Sequence, residues 1–80
     1  MATINLADVL SDQYAPISQT RDAVVSILRD SDWVQSHPED SPLALAVEGL
    51  SAAQDIDEFD AWFNQINDTA EVQGVWIDTV

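Results

Sequence analysis

Net charge is the tightest constraint on this chain. Across 80 residues, fifteen aspartates and glutamates are set against two arginines, Arg21 and Arg29, and no lysine, for a formal charge of -13 with the single histidine neutral. Like charges repel in any compact state, and a chain this acidic with few apolar residues would stay disordered. Here 46% of the residues are hydrophobic, an ordinary fraction for a globular protein, and they are regularly spaced. The expectation is a folded domain that keeps its acids at the surface. Carboxylates run from Asp8 to Asp78 rather than in one block, which argues against an acidic tail appended to a neutral domain. At this length a single domain, residues 1–80, with a small core is expected.

The same imbalance removes whole classes of function. Binding to nucleic acid or to an anionic membrane surface takes clustered Lys and Arg, so both are excluded as direct partners. The absence of cysteine excludes disulfides, thiol catalysis and thiolate metal sites together. No long apolar window and no basic-then-apolar leader is present, so a soluble intracellular protein is expected.

Apolar spacing divides the chain into short helices. Over residues 5–13, Leu6, Val9 and Leu10 share one face opposite Asp8 and Asp12, with Asn5 as N-cap and Pro16 preventing continuation. A strand over residues 3–6 competes, because Thr3-Ile4-Asn5-Leu6 alternates as well. Residues 18–30 form a second helix, with Ala23, Val24, Ile27 and Leu28 inward and Arg29 at the negative end of the dipole. A turn of helix over residues 31–36 tucks Trp33 and Val34 inward before His37-Pro38 ends it. Ser41-Pro42 is an N-cap followed by proline at the first helical position. Leu43, Ala46, Val47 and Leu50 then recur at helical spacing with Gly49 marking the end, although residues 43–47 also fit a buried strand.

The clearest signal begins at Asp55. Glu58 completes a capping box, and Ile56, Phe59, Trp62, Phe63 and Ile66 form one apolar stripe over residues 55–67. Asp57, Ala61 and Asn64 point directly away from that stripe, flanked by Glu58 and Asp60. Beyond Asn67-Asp68, the residues Val72, Gly74, Val75, Trp76, Ile77, Thr79 and Val80 are β-rich and predict a C-terminal strand. It must pair with residues 3–6, with residues 43–47 or with another copy of the chain. The fold expected is mainly α, a compact bundle of three to four short helices with a short C-terminal β element, with α+β as the alternative.

Catalytic chemistry finds no foothold. Counting from Asp55, the calcium-loop template meets Phe59 at the fifth position, Asp60 at the sixth and Ile66 at the twelfth, where ligands and a glycine are required. His37, flanked by Pro38 and Glu39, is expected to be a surface loop residue rather than part of a triad. Acids are so common that no pair of them is diagnostic, and Asn67-Asp68-Thr69 matches a glycosylation acceptor without the secretory signal that would give it meaning. No catalytic residue, metal or cofactor is therefore expected. Of the three tryptophans, Trp33 and Trp62 belong to the core, while Trp76 either completes it or is a partly exposed contact anchor.

A small, folded, lysine-free acidic chain, with carboxylates such as Asp8, Asp12, Asp57, Asp60 and Asp78, resembles the inhibitors by which phages and mobile elements disarm bacterial nucleases, including anti-CRISPR and anti-restriction proteins. The resemblance is one of size and charge over the whole chain. It implies a non-enzymatic DNA mimic in the cytoplasm of a bacterial host cell, whose partner is a basic, nucleic-acid-binding protein such as a CRISPR effector subunit or another defence nuclease. Carboxylates three or four residues apart on a helix stand about 5 to 6 Å apart between Cβ atoms, which approximates a phosphate track. The partner-binding residues expected are Asp57, Asp60, Glu58 and Asn64, then Asp8 and Asp12, with Trp76 as anchor. A second resemblance is to acyl carrier proteins, acidic helical bundles of this length modified on a serine that opens a helix. Asp40-Ser41 ahead of Leu43, Ala46, Val47 and Leu50 is similar to that motif, with Pro42 standing where the family has leucine.

Overall fold

Three of the five helices among the described residues begin where a side chain accepts one of the first free N–H groups. A computed structural model describes residues 3–11 and 16–79 of the chain. Its elements are β1 (Thr3–Asn5), α1 (Ala7–Leu10), α2 (Ile17–Asp30), α3 (Asp32–Gln35), α4 (Pro42–Ser51), α5 (Ile56–Gln73) and β2 (Trp76–Asp78). Ser31 Oγ accepts from the Val34 N–H at 3.3 Å to open α3, and Ser41 Oγ accepts from Ala44 at 3.3 Å to open α4. α5 opens with a variant of the capping box: the Glu58 N–H donates to Asp55 Oδ1 at 2.8 Å, while Glu58 Oε2 accepts from the N–H of Gln54, the residue before the cap, at 3.0 Å. With 68% of the described residues helical and the sheet reduced to two short strands, the fold is mainly α, as the apolar spacing predicts.

The strands join the two ends of the described chain. β1 and β2 pair in parallel, Thr3 opposite Trp76, Ile4 opposite Ile77 and Asn5 opposite Asp78. Ile4 and Ile77 turn inward and are buried, which places Thr3, Asn5, Trp76 and Asp78 on the outer face. Both competing readings of the N-terminus are thus partly realised. The stretch 3–6 supplies a strand, and the helix expected over residues 5–13 is confined to Ala7–Leu10 among the described residues. Asn5 is not the N-cap; that position falls to Leu6, although Asn5 Oδ1 accepts from the Ala7 N–H at 3.0 Å.

One core cluster joins every layer. Leu6, Val24, Leu28, Leu43, Leu50 and Ile66 are the largest fully buried side chains, and they come from the segment after β1 and from α2, α4 and α5. The inner face of α2 is Val24, Val25 and Leu28, with Ala23 and Ile27 half-buried. Arg21 ties α2 to the loop before α5, its Nη1 donating to the Ala53 carbonyl at 2.7 Å.

Four expectations need correction. Gly49 does not end α4, which continues to Ser51; its missing Cβ instead admits Trp62, since a Cβ there would lie 2.5 Å from Trp62 Cε2. α5 does not stop near Asn67 but runs to Gln73, because Ala70 continues the buried stripe of Phe59 and Ile66, and Val72 is consequently helical. Ile56, expected in that stripe, is 56% exposed at the first helical position, before the helix settles on the core. His37 is half-buried rather than a free surface group: its Nδ1 lies 2.7 Å from the Trp33 carbonyl oxygen and its ring meets the Trp33 ring edge-on.

Candidate functional site

The outward face of α5 is what the long helix adds. Asp57, Asp60, Asn64, Asp68 and Glu71 are all exposed and follow one another at steps of three and four residues. At about 1.5 Å and 100° per residue, such steps make one row about 21 Å long within a sector of roughly 80°. Phe59, Ile66 and Ala70 hold the opposite face in the core, with Trp62 and Phe63 half-buried beside them, so the row cannot roll inward. The helix is therefore a rigid mount for its carboxylates.

Nothing within the described chain neutralises that row. Arg21 Nε pairs with Asp22 Oδ1 at 3.0 Å on α2, and no carboxylate of α5 is paired with an arginine among the described residues. Every described carboxylate other than Asp78 is exposed, and no polar or charged side chain among the described residues is buried. Among the described residues the negative field is carried at the solvent boundary by every carboxylate but Asp78, and there it acts on whatever approaches.

The expected contact residues divide by element. Asp57, Asp60 and Asn64 stand together on the outward row. Glu58 sits on the same helix but its carboxylate turns back to the Gln54 N–H, so it serves first as a cap. Asp8 is exposed on α1, which packs against α2, and Asp12 lies outside the described residues. Trp76 is 62% exposed on β2 and borders a groove of about 420 Å³ between β2 and α5, together with Phe63, Asn67, Glu71 and Val75. Ser41 is half-buried with its hydroxyl engaged as the α4 cap. Asp68 and Glu71 were not expected in the site, because a helix ending at Asn67 excludes them; Ala70 and Gly74 are the residues that signal the longer helix.

Among the described residues no group of three or more His, Asp and Glu side chains is placed to hold a metal ion, and no helix is long and apolar enough to cross a membrane. Comparisons with protein-family models, with curated proteins and with solved structures find no match to this chain.

Proposed function

We propose that this protein is a non-enzymatic inhibitor that lays the acidic row of α5 on a basic, nucleic-acid-binding surface of a partner, in the manner of a DNA mimic. The partner class that fits is a bacterial defence nuclease complex, such as a CRISPR effector, because such a complex holds nucleic acid in a channel lined by Lys and Arg. The observation that supports this reading is the row itself: Asp57, Asp60, Asn64, Asp68 and Glu71 share one face of a rigid helix, with no arginine paired to them among the described residues. A channel built to neutralise phosphates attracts carboxylates fixed at helical spacing by the same Coulomb force. Aspartate suits the role, since its short side chain holds the charge close to the backbone.

The test is capture from a bacterial lysate on immobilised protein, followed by displacement with duplex DNA. Nucleic-acid-binding proteins should be retained at low salt, released by DNA and released by high salt. A resin carrying Asp57→Lys with Asp60→Lys should retain none of them, because positive charge then meets positive charge. Capture that DNA fails to displace, or that the double variant leaves intact, defeats the proposal.

A further inference from the structure

The groove beside Trp76 has a geometry that the acidic row does not explain. α5 ends at Gly74, whose φ of 74° is left-handed, and the Val75 N–H then bonds back to the Ala70 carbonyl at 2.8 Å. This turn lays β2 alongside the helix it has just left. One wall of the groove is the row Phe63, Asn67 and Glu71, each four residues from the last; the other is β2 itself. Its volume, about 420 Å³, falls within the usual range for ligand sites.

β2 brings an open edge to this groove. It pairs with β1 alone in a two-stranded sheet among the described residues. The Asp78 carbonyl accepts the Leu6 N–H at 2.8 Å, so the backbone groups of Ile77, the neighbouring residue, turn to the opposite edge. An edge of this kind is a template for another extended chain, and a two-stranded sheet gains most from a third strand.

We propose that the groove between α5 and β2 takes an extended, arginine-bearing segment of a partner protein as a third strand on β2. Charge selects the occupant. A second copy of this chain would bring a further net charge of -13 against Glu71, whereas a basic segment meets a carboxylate on one wall and the 62% exposed indole of Trp76 on the other. Guanidinium groups suit both, stacking on an aromatic face while donating to a carboxylate. The proposal deepens the inhibitor reading, on which the basic character of the partner rests, and adds a second contact that shares Glu71 with the outward row.

The experiment uses the full chain and a fluorescein-labelled octapeptide alternating arginine with valine, read by fluorescence polarisation at 150 mM salt. Wild type should bind it saturably. Trp76→Ala and Glu71→Gln should each weaken binding at least tenfold with unchanged thermal unfolding, since both side chains are exposed. Glu48→Gln on α4, which makes the same change in net charge away from the groove, should leave affinity within twofold. A peptide carrying N-methyl groups at alternate backbone nitrogens should lose binding if strand addition holds it. Absence of saturable binding, equal losses for Glu71→Gln and Glu48→Gln, or full binding by the methylated peptide each overturns the proposal. The two readings fail separately: DNA-displaceable capture without peptide binding defeats the groove alone, and peptide binding without such capture defeats the inhibitor reading alone.

Discussion

Gly49 shows how one missing methyl group fixes a helix pair. It lies within α4, where glycine is less favourable than alanine by about 1 kcal/mol, yet an added Cβ would stand 2.5 Å from the Trp62 ring. The contact falls on the ring fusion rather than on a flexible tip, so the indole must move bodily. Overpacking of this kind costs about 1–3 kcal/mol, which outweighs the gain in helix propensity. Gly49→Ala is therefore expected to lower the midpoint of urea unfolding, with a net loss of stability of up to about 2 kcal/mol; a raised midpoint would mean that Trp62 swings away freely. Phe59 and Phe63 differ for a related reason. Their rings stack with centroids 5.8 Å apart, but Phe59 is buried whereas Phe63 is half-buried and borders the groove. Phe59→Ala should cost about 3–5 kcal/mol, comparable to the whole stability of a domain this small, and Phe63→Ala distinctly less. Equal losses in thermal unfolding would show that Phe63 is as much a core residue as its stripe position predicts.

α5 is the element on which the site depends, and its end is as consequential as its start. Gly74 adopts a φ of 74° with nothing within 4 Å of a built Cβ, so substitution there meets backbone strain and no steric contact. Gly74→Ala should cost about 1–2 kcal/mol, and Gly74→Asn less, because asparagine tolerates the left-handed region. Identical losses for the two, measured by chemical unfolding, would contradict that origin. The beginning of α5 was legible in the sequence because the Asp55–Glu58 spacing marks a cap, although Glu58 accepts from the Gln54 N–H rather than from that of Asp55. Its end was not, since Asn67-Asp68 resembles a break and the small side chain of Ala70 is a faint continuation of an aromatic stripe. The candidate site inherits that asymmetry. Asp57, Asp60 and Asn64 follow from a helical wheel, whereas Asp68 and Glu71 enter only once the helix is known to reach Gln73. Strand pairing was equally opaque: three-residue strands carry one inward side chain each, Ile4 and Ile77, which is too little to specify partner or direction. The groove arises from tertiary placement of β2 against α5 and has no local signature at all.

At the scale of the whole molecule, a net charge of -13 is confined within a body whose extents are 32 × 24 × 19 Å. Two like charges about 10 Å apart in water repel by about 0.4 kcal/mol, and every described carboxylate but Asp78 sits at the exposed surface, so many such pairs act together. Screening decides how far that repulsion reaches. At 0.01 M ionic strength the Debye length is about 30 Å and spans the molecule, while at 0.1 M it is about 10 Å and isolates one face from the next. Unfolding spreads the charges apart, so the repulsion is relieved more in the unfolded chain than in the folded one. Tm is therefore expected to rise by several degrees between 10 and 150 mM sodium chloride. The Asp57→Lys, Asp60→Lys variant sharpens the test, because it lowers the net negative charge and breaks the α5 row while leaving the core untouched. Lysine near the positive end of the α5 dipole sacrifices a few tenths of a kcal/mol, an effect that salt also screens. Its melting curve should consequently show a shallower rise with salt than that of wild type. A wild-type Tm that is flat or falls with salt would mean that the acids are compensated locally, and the surface field on which the proposed partner binding rests would be far weaker than the formal charge implies.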